Sequence, residues 1–170
     1  ACCKYLLQTG VPFSQAYMEQ TLCKYPLHAR LLVELFEAKF DPAREQPSRT
    51  VADAARKRMA RELAPLFGEE MDRLHPHLIE SLGAVRGEAR ERQVEAAVKA
   101  IGAVMDSVES VDEDRILRSF MAVIRACLRT SFYKLHDGRP REVVSYKLDP
   151  SKLPDLPKPR TYREIFVYGP

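Results

Sequence analysis

Two apolar stripes at helical spacing, joined by a short capped turn, constrain this chain more than any other feature. In RGEARERQVEAAVKAIGAVMDSV, Val94, Ala97, Val98, Ile101, Val104, Met105 and Val108 recur three and four apart. That spacing puts them on one face of an amphipathic helix. Arg90, Glu91, Arg92, Glu95 and Lys99 fall elsewhere on it. A turn follows at Glu109. Ser110 and Glu113 then have the S-x-x-E spacing that satisfies two unpaired backbone N–H groups at a helix start. A second helix over about 111–135 places Ile116, Leu117, Phe120, Val123, Ile124, Cys127, Leu128 and Phe132 on its apolar side. Such a turn predicts an antiparallel pair, with helices at about 87–108 and 111–135. Each large side chain buried there contributes roughly 1.5–3 kcal/mol, against the entropy of ordering the chain.

The residues before this pair are also helical in pattern. Residues 1–9 are apolar and end at Gly10, suited to a left-handed C-terminal cap. Ser14 can cap SQAYMEQTLCKY, with Val11 and Phe13 packed beside it. Pro26 suits the first turn of a third helix, where a missing N–H costs nothing. That helix carries Leu27, Leu31, Leu32, Leu35 and Phe36 on one side and closes at Phe40. Asp41-Pro42 opens a polar connector reaching about Thr50, read as a surface loop. Val51, Ala55, Met59, Leu63, Leu66 and Phe67 then recur at helical spacing, continued by Met71, Leu74, Leu78, Leu82 and Val85. Gly68 is a point of bending, and Pro65 and Pro76 each force a kink or a restart.

The chain changes character at its end. Asp137-Gly138 is a turn signal and Pro140 stops any helix. Val143–Leu148 and Tyr162–Tyr168 are rich in strand formers. Between them Pro150, Pro154, Pro157 and Pro159 favour an extended connector. Val144, Tyr146 and Leu148 share one face; Tyr162, Phe166 and Tyr168 oppose Ile165 and Val167. Strands apolar on both faces belong in a covered sheet. The expected fold class is mainly α: a helical bundle with long antiparallel helices and a short C-terminal two-stranded β element. The expected divisions are a helical subdomain at 1–40, a linker at 41–50, a long-helix bundle at 51–139 and a proline-rich β segment at 140–170.

Composition excludes several classes of function. The chain has 170 residues, with 27 basic and 24 acidic side chains interspersed and a net charge of +3. That balance points away from nucleic acid and from an anionic membrane. No apolar run approaches the roughly 18 residues of a membrane span, and ACCKYLLQTG is too short and polar for a signal peptide. The chain opens without an initiator methionine, as a fragment would. Cys2, Cys3, Cys23 and Cys127 form no CxxC pair. They are read as reduced thiols of a cytoplasmic protein, with Cys127 a small hydrophobe on a helix.

The search for chemistry finds no constellation to assign. The seven glycines are scattered without a GxG, so neither a dinucleotide fingerprint nor a phosphate loop is present. His75-Pro76-His77 reads as an exposed helix junction, since residues two apart on a helix diverge and no ligand set completes zinc. Ser131, Ser145 and Ser151 lack the glycines of a nucleophile elbow. Residues 86–92, RGEARER, could draw an acidic partner but read as a solvated face. Arg118, Arg125 and Arg129 share a helical face and could grip a carboxylate or phosphate; snorkelling at the surface is their ordinary role. Tyr17, Tyr25, Phe132 and Tyr133 read as core aromatics. No catalytic, cofactor-binding or metal residue is expected in this chain.

Three motifs remain: Arg129-Thr130-Ser131-Phe132-Tyr133, Lys147-Leu148-Asp149-Pro150 and Glu164-Ile165-Phe166-Val167-Tyr168. Together they resemble the large bacterial NAD-specific glutamate dehydrogenases. In that family a helix ending in an R-T-N-F-Y-like motif leads to a K-L-D-P strand, a proline-rich connector and an E-I-F-V-Y strand. VPFSQAYMEQTL at 11–22 and VESVDEDRILRSF at 108–120 are also similar to it; the middle, about 43–100, matches only as amphipathic helix. Ser131 departs from the Asn often found there.

The resemblance implies a parent enzyme that oxidises L-glutamate to 2-oxoglutarate and ammonium with NAD. It implies a position between N-terminal regulatory modules and the catalytic region, as scaffold or linker. The family's glycine- and lysine-rich substrate motifs, catalytic lysine and aspartate follow the E-I-F-V-Y strand, so the piece itself is expected to be inactive. Its expected partners are the remaining domains of the same polypeptide and, in a homo-oligomer, further copies. The alternative is a helical oligomerisation or protein-interaction module, with the strands as the adhesive part.

Overall fold

The computed structural model describes residues 1–44, 49–66, 75–154 and 156–170; the side chains of 49–52, 55, 56, 75 and 76 lie outside that description. The chain forms two compact units, Ala1–Cys23 with Glu109–Pro170, and Lys24–Val108. The first is discontinuous in sequence. Its boundaries at 23/24 and 108/109 do not coincide with the divisions expected at 40, 50 and 139.

In the discontinuous unit, α1 (Cys2–Gln8) stops where Gly10 takes φ +83°. α2 (Gln15–Lys24) is capped by Ser14, whose Oγ accepts from the Tyr17 N–H at 3.2 Å. The second piece opens with a helix, numbered α7 because four helices of the other unit precede it in the chain. It spans Val111–Ala126, and Ser110 Oγ accepts from the Glu113 N–H at 3.4 Å. Asp112, Glu113 and Asp114 in its first turn and Arg125 in its last match the helix dipole.

The helix expected to reach residue 135 ends at Ala126. Cys127 turns extended, and Cys127–Thr130 becomes strand β1. The cause is a partner that local spacing does not reveal. β4 (Val144–Leu148) pairs antiparallel with β1, setting Cys127 against Leu148 and Thr130 against Tyr146. The Asp149 N–H donates to the Ala126 carbonyl at 2.9 Å. Pairing across the chain thus overrides a helical apolar spacing, and Phe132, expected in the core, is 49% exposed.

The β element is therefore larger than the two strands expected. β5 (Glu164–Tyr168) pairs antiparallel with β4, giving the order β1-β4-β5. A hairpin of β2 (Leu135–His136) and β3 (Arg139–Pro140) turns at Asp137 and Gly138, both at positive φ, as a tight primed turn requires. One sheet face is covered and the other is open: Leu148 is buried, while Ile165 is 70% and Val167 58% exposed. The two-sided cover expected for these strands is absent among the described residues.

The second unit comprises α3 (Pro26–Phe40), α4 (Arg49–Leu63), α5 (His75–Ala84) and α6 (Arg90–Met105). α3 packs on α6 and α4 on α5. Pro65 lies in a 3-10 turn, Ala64–Leu66, directly after α4, and Pro76 is the second residue of α5. Both prolines stand at helix ends, where the lost donor is tolerated. Phe67, Gly68, Met71 and Leu74 lie outside the described residues. The core holds Leu27, Leu31, Leu35, Met59, Leu63, Leu78, Leu82, Ile101 and Val104, all of them on the expected stripes. The expected antiparallel pair is divided: α6 belongs to this unit and α7 to the other. Among the described residues no helix is long and apolar enough to cross a membrane.

Candidate functional site

The most organised cluster of the sheet unit joins α1 to β5. Tyr5, 4% exposed, donates its hydroxyl to Glu164 Oε2 at 2.6 Å. Its ring meets Phe166 edge-on with centroids 5.5 Å apart, and Phe166 stacks on Tyr146 of β4 at 6.3 Å. Glu164 Oε1 accepts from Thr161 Oγ1 at 3.2 Å, so both carboxylate oxygens are engaged. Burial, then the bond to and charge of Glu164, push the Tyr5 phenol well above its ordinary range. Burial foremost raises Tyr146 to about 12. Burial also raises the Cys2 and Cys3 thiols. Raised thiols are poor nucleophiles at neutral pH.

The exit of β4 is fixed by Asp149. Its Oδ1 accepts from the Ser151 N–H at 3.2 Å, Ser151 Oγ at 2.7 Å and Arg163 Nη1 at 3.4 Å. The Ser151 hydrogen bond, chiefly, holds its carboxyl below the ordinary range. Asp149 thereby caps the 3-10 turn Pro150–Lys152 and ties it to the start of β5. Ser131 and Ser145 face each other: the Ser145 N–H donates to Ser131 Oγ at 2.9 Å and the Ser131 N–H to the Ser145 carbonyl at 3.1 Å. All three serines singled out in the sequence thus hold turns or strands.

The other residues singled out are dispersed. Arg129 lies on β1, so it shares no helix with Arg118 and Arg125; Arg118 pairs with Asp114 at 2.8 Å. His77 is exposed, and the side chains of His75 and Pro76 lie outside the description. Among the described residues no three His, Cys, Asp or Glu side chains stand together as a metal set. Among the described residues no cysteine forms a disulfide, and buried Cys127 stands on a strand rather than a helix. An open concavity of about 750 Å³ beside the β2–β3 hairpin is lined by both signs of charge, Arg139 and Arg141 with Asp137 and Glu142.

The residue that sequence reasoning missed is Arg44. Its segment read as a surface loop, yet Arg44 is 6% exposed and Glu34 4%. Arg44 Nη1 donates to Glu34 Oε1 at 2.7 Å, and Nη2 to Glu34 and Glu37. Arg86 Nη2 reaches Glu34 Oε2 at 3.0 Å, and Arg30 reaches Glu62 at 2.7 Å. Arg90 donates to the Ala38 and Asp41 carbonyls at the end of α3. Arg86 and Arg90 therefore do not belong to the solvated face expected of residues 86–92. Burial pulls the Glu34 carboxyl upward, but the Arg44 hydrogen bond and the charges of Arg44, Arg86 and Arg30 outweigh it and hold it low. A proline-started turn that ends in arginine, opposite a helix carrying two glutamates, was the only available signal.

Residues 100–170 match the family model "Bacterial NAD-glutamate dehydrogenase, catalytic domain", and residues 1–42 match "Glutamate dehydrogenase, helical motif 3". The whole chain aligns with "NAD-specific glutamate dehydrogenase" of Mycobacterium tuberculosis at 35% identity, of Pseudomonas aeruginosa at 38% and of Halomonas elongata at 31%. In each case 100% of this chain covers 8% of the relative. The chain belongs, as a segment, to the family of large bacterial NAD-specific glutamate dehydrogenases.

Proposed function

We propose that this chain is the helical scaffold that leads into the catalytic region of an NAD-dependent glutamate dehydrogenase. The parent enzyme would convert L-glutamate, NAD and water to 2-oxoglutarate, ammonium and NADH in the cytoplasm, as a homo-oligomer. The segment contributes the opening strands of the catalytic region, with residues 140–170 at its start, and neither binds NAD nor carries a catalytic residue. Alignment over the full chain with dehydrogenases of three organisms carries this reading. The chemistry of the segment supports it: Ser131, Ser145, Ser151 and Asp149 are committed to turns and strands, and the Cys2 and Cys3 thiols are raised by burial. The test is NADH absorbance with glutamate and NAD. The purified chain is expected to give no turnover above a contaminant control.

A second reading, an interaction module, rests on the open sheet face. Ile165, Val167 and Tyr162 are 70%, 58% and 84% exposed, and strands with open edges recruit others. Light scattering at several concentrations tests it: mass rising with concentration, and no longer rising once residues 140–170 are removed, supports an adhesive sheet.

A further inference from the structure

We propose that Tyr5 and Glu164 form a latch through which α1 fixes β5, making Tyr5 a positioning residue for the outer strand of the sheet. Among the described residues β5 has β4 on one side only. Its outward side chains Ile165 and Val167 are largely exposed, so that face does little to hold it. The inward side chains are Glu164 and Phe166. Glu164 receives the Tyr5 hydroxyl at 2.6 Å, and Phe166 receives the Tyr5 ring edge. A hydrogen bond to a charged acceptor is among the stronger ones, and edge-to-face aromatic pairs are directional. One side chain thus fixes β5 both along and across its axis. Tyr5 is itself immobilised: it is 4% exposed, and its backbone N–H donates to the Ala1 carbonyl in the first turn of α1. Thr161 holds the second Glu164 oxygen, and Arg163 ties the same strand end to Asp149.

The latch spans two modules. Tyr5 lies within the helical-motif match and Glu164 within the catalytic-domain match. A displacement of α1 therefore reaches β5 through Tyr5. That consequence for catalysis rests on the dehydrogenase reading; the latch itself does not.

Hydrogen exchange on the intact chain tests it. Tyr5→Phe keeps the ring and removes the hydroxyl. The protected amides of residues 164–168 are expected to exchange roughly tenfold faster, the effect of losing one hydrogen bond to a charged group. The amides of α3 and α6 are expected to keep their rates. Glu164→Ala, which also removes the Thr161 contact, should accelerate them at least as much, and the double variant should add nothing to Glu164→Ala. Glu164→Gln keeps an acceptor and should restore most of the protection. Unchanged β5 exchange in Tyr5→Phe overturns the proposal. So does an equal acceleration of every amide, or loss of fold, because the contact would then be general packing. NAD reduction is not read in this experiment, so its failure leaves the dehydrogenase reading intact, and turnover by the isolated chain leaves the latch intact.

Discussion

Arg44 is the side chain whose removal should cost the helical unit most. Arg44→Ala leaves Glu34 buried with its principal partner gone, and breaking a buried pair costs about 3–5 kcal/mol. Urea unfolding should show a loss of that size; a loss below about 1 kcal/mol would mean that Arg86 and Arg30 suffice to hold Glu34. Arg44→Lys should recover little, because an ammonium cannot reproduce the forked contact with Glu34 and Glu37. The same cluster sets an acid limit. The Glu34 and Glu62 carboxyls lie below their ordinary values, Glu62 through hydrogen bonds from Arg58 and Arg30. A depressed carboxyl contributes stability that is present above its unfolded pKa, about 4.3, and lost as pH falls through the folded value. Helical signal should therefore need less urea to melt as pH drops below about 4. Tyr5 and Tyr146 work in the opposite direction. Their raised phenols contribute stability that is full below the unfolded value of about 10 and lost as pH rises through the folded ones, about 12 for Tyr146. Spectrophotometric titration should show Tyr5 and Tyr146 ionising late.

At the scale of elements, α7 depends on its cap. Ser110→Ala should cost about 1 kcal/mol, read as a lower unfolding midpoint, with the helix otherwise intact. The open sheet face should be indifferent to charge: Ile165→Lys should change stability by no more than about 0.5 kcal/mol. A larger loss would mean that the face is covered in solution. The caps at Gly10, Ser14 and Ser110, the start at Pro26 and the stripe Leu27–Leu31–Leu35 were legible because each is settled within a few residues. The end of α7 was not. Ile124 and Leu128 keep helical spacing, and only pairing with β4 converts Cys127–Thr130 to strand. Arg44 was hidden for a related reason: its partners on α3 come within reach only after the chain has turned at Pro42. The absence of an assigned site residue followed from scattered glycines and isolated serines, and what those serines do instead appeared only with the turns they hold.

At the scale of the molecule, a segment covering 8% of its relatives holds parts of two sequence modules within one compact unit. Residues 1–23 and 109–170 build the sheet unit together, so the helical motif is divided between that unit and the one formed by 24–108. Under the function proposed above, the chain opens a glutamate dehydrogenase catalytic region without carrying its reaction. The direct measurement is NADH production from glutamate and NAD by the purified, folded chain, alongside a contaminant control. The account predicts no rate above that control at any chain concentration. A rate that rises in proportion to the chain and disappears when the chain is unfolded would contradict it.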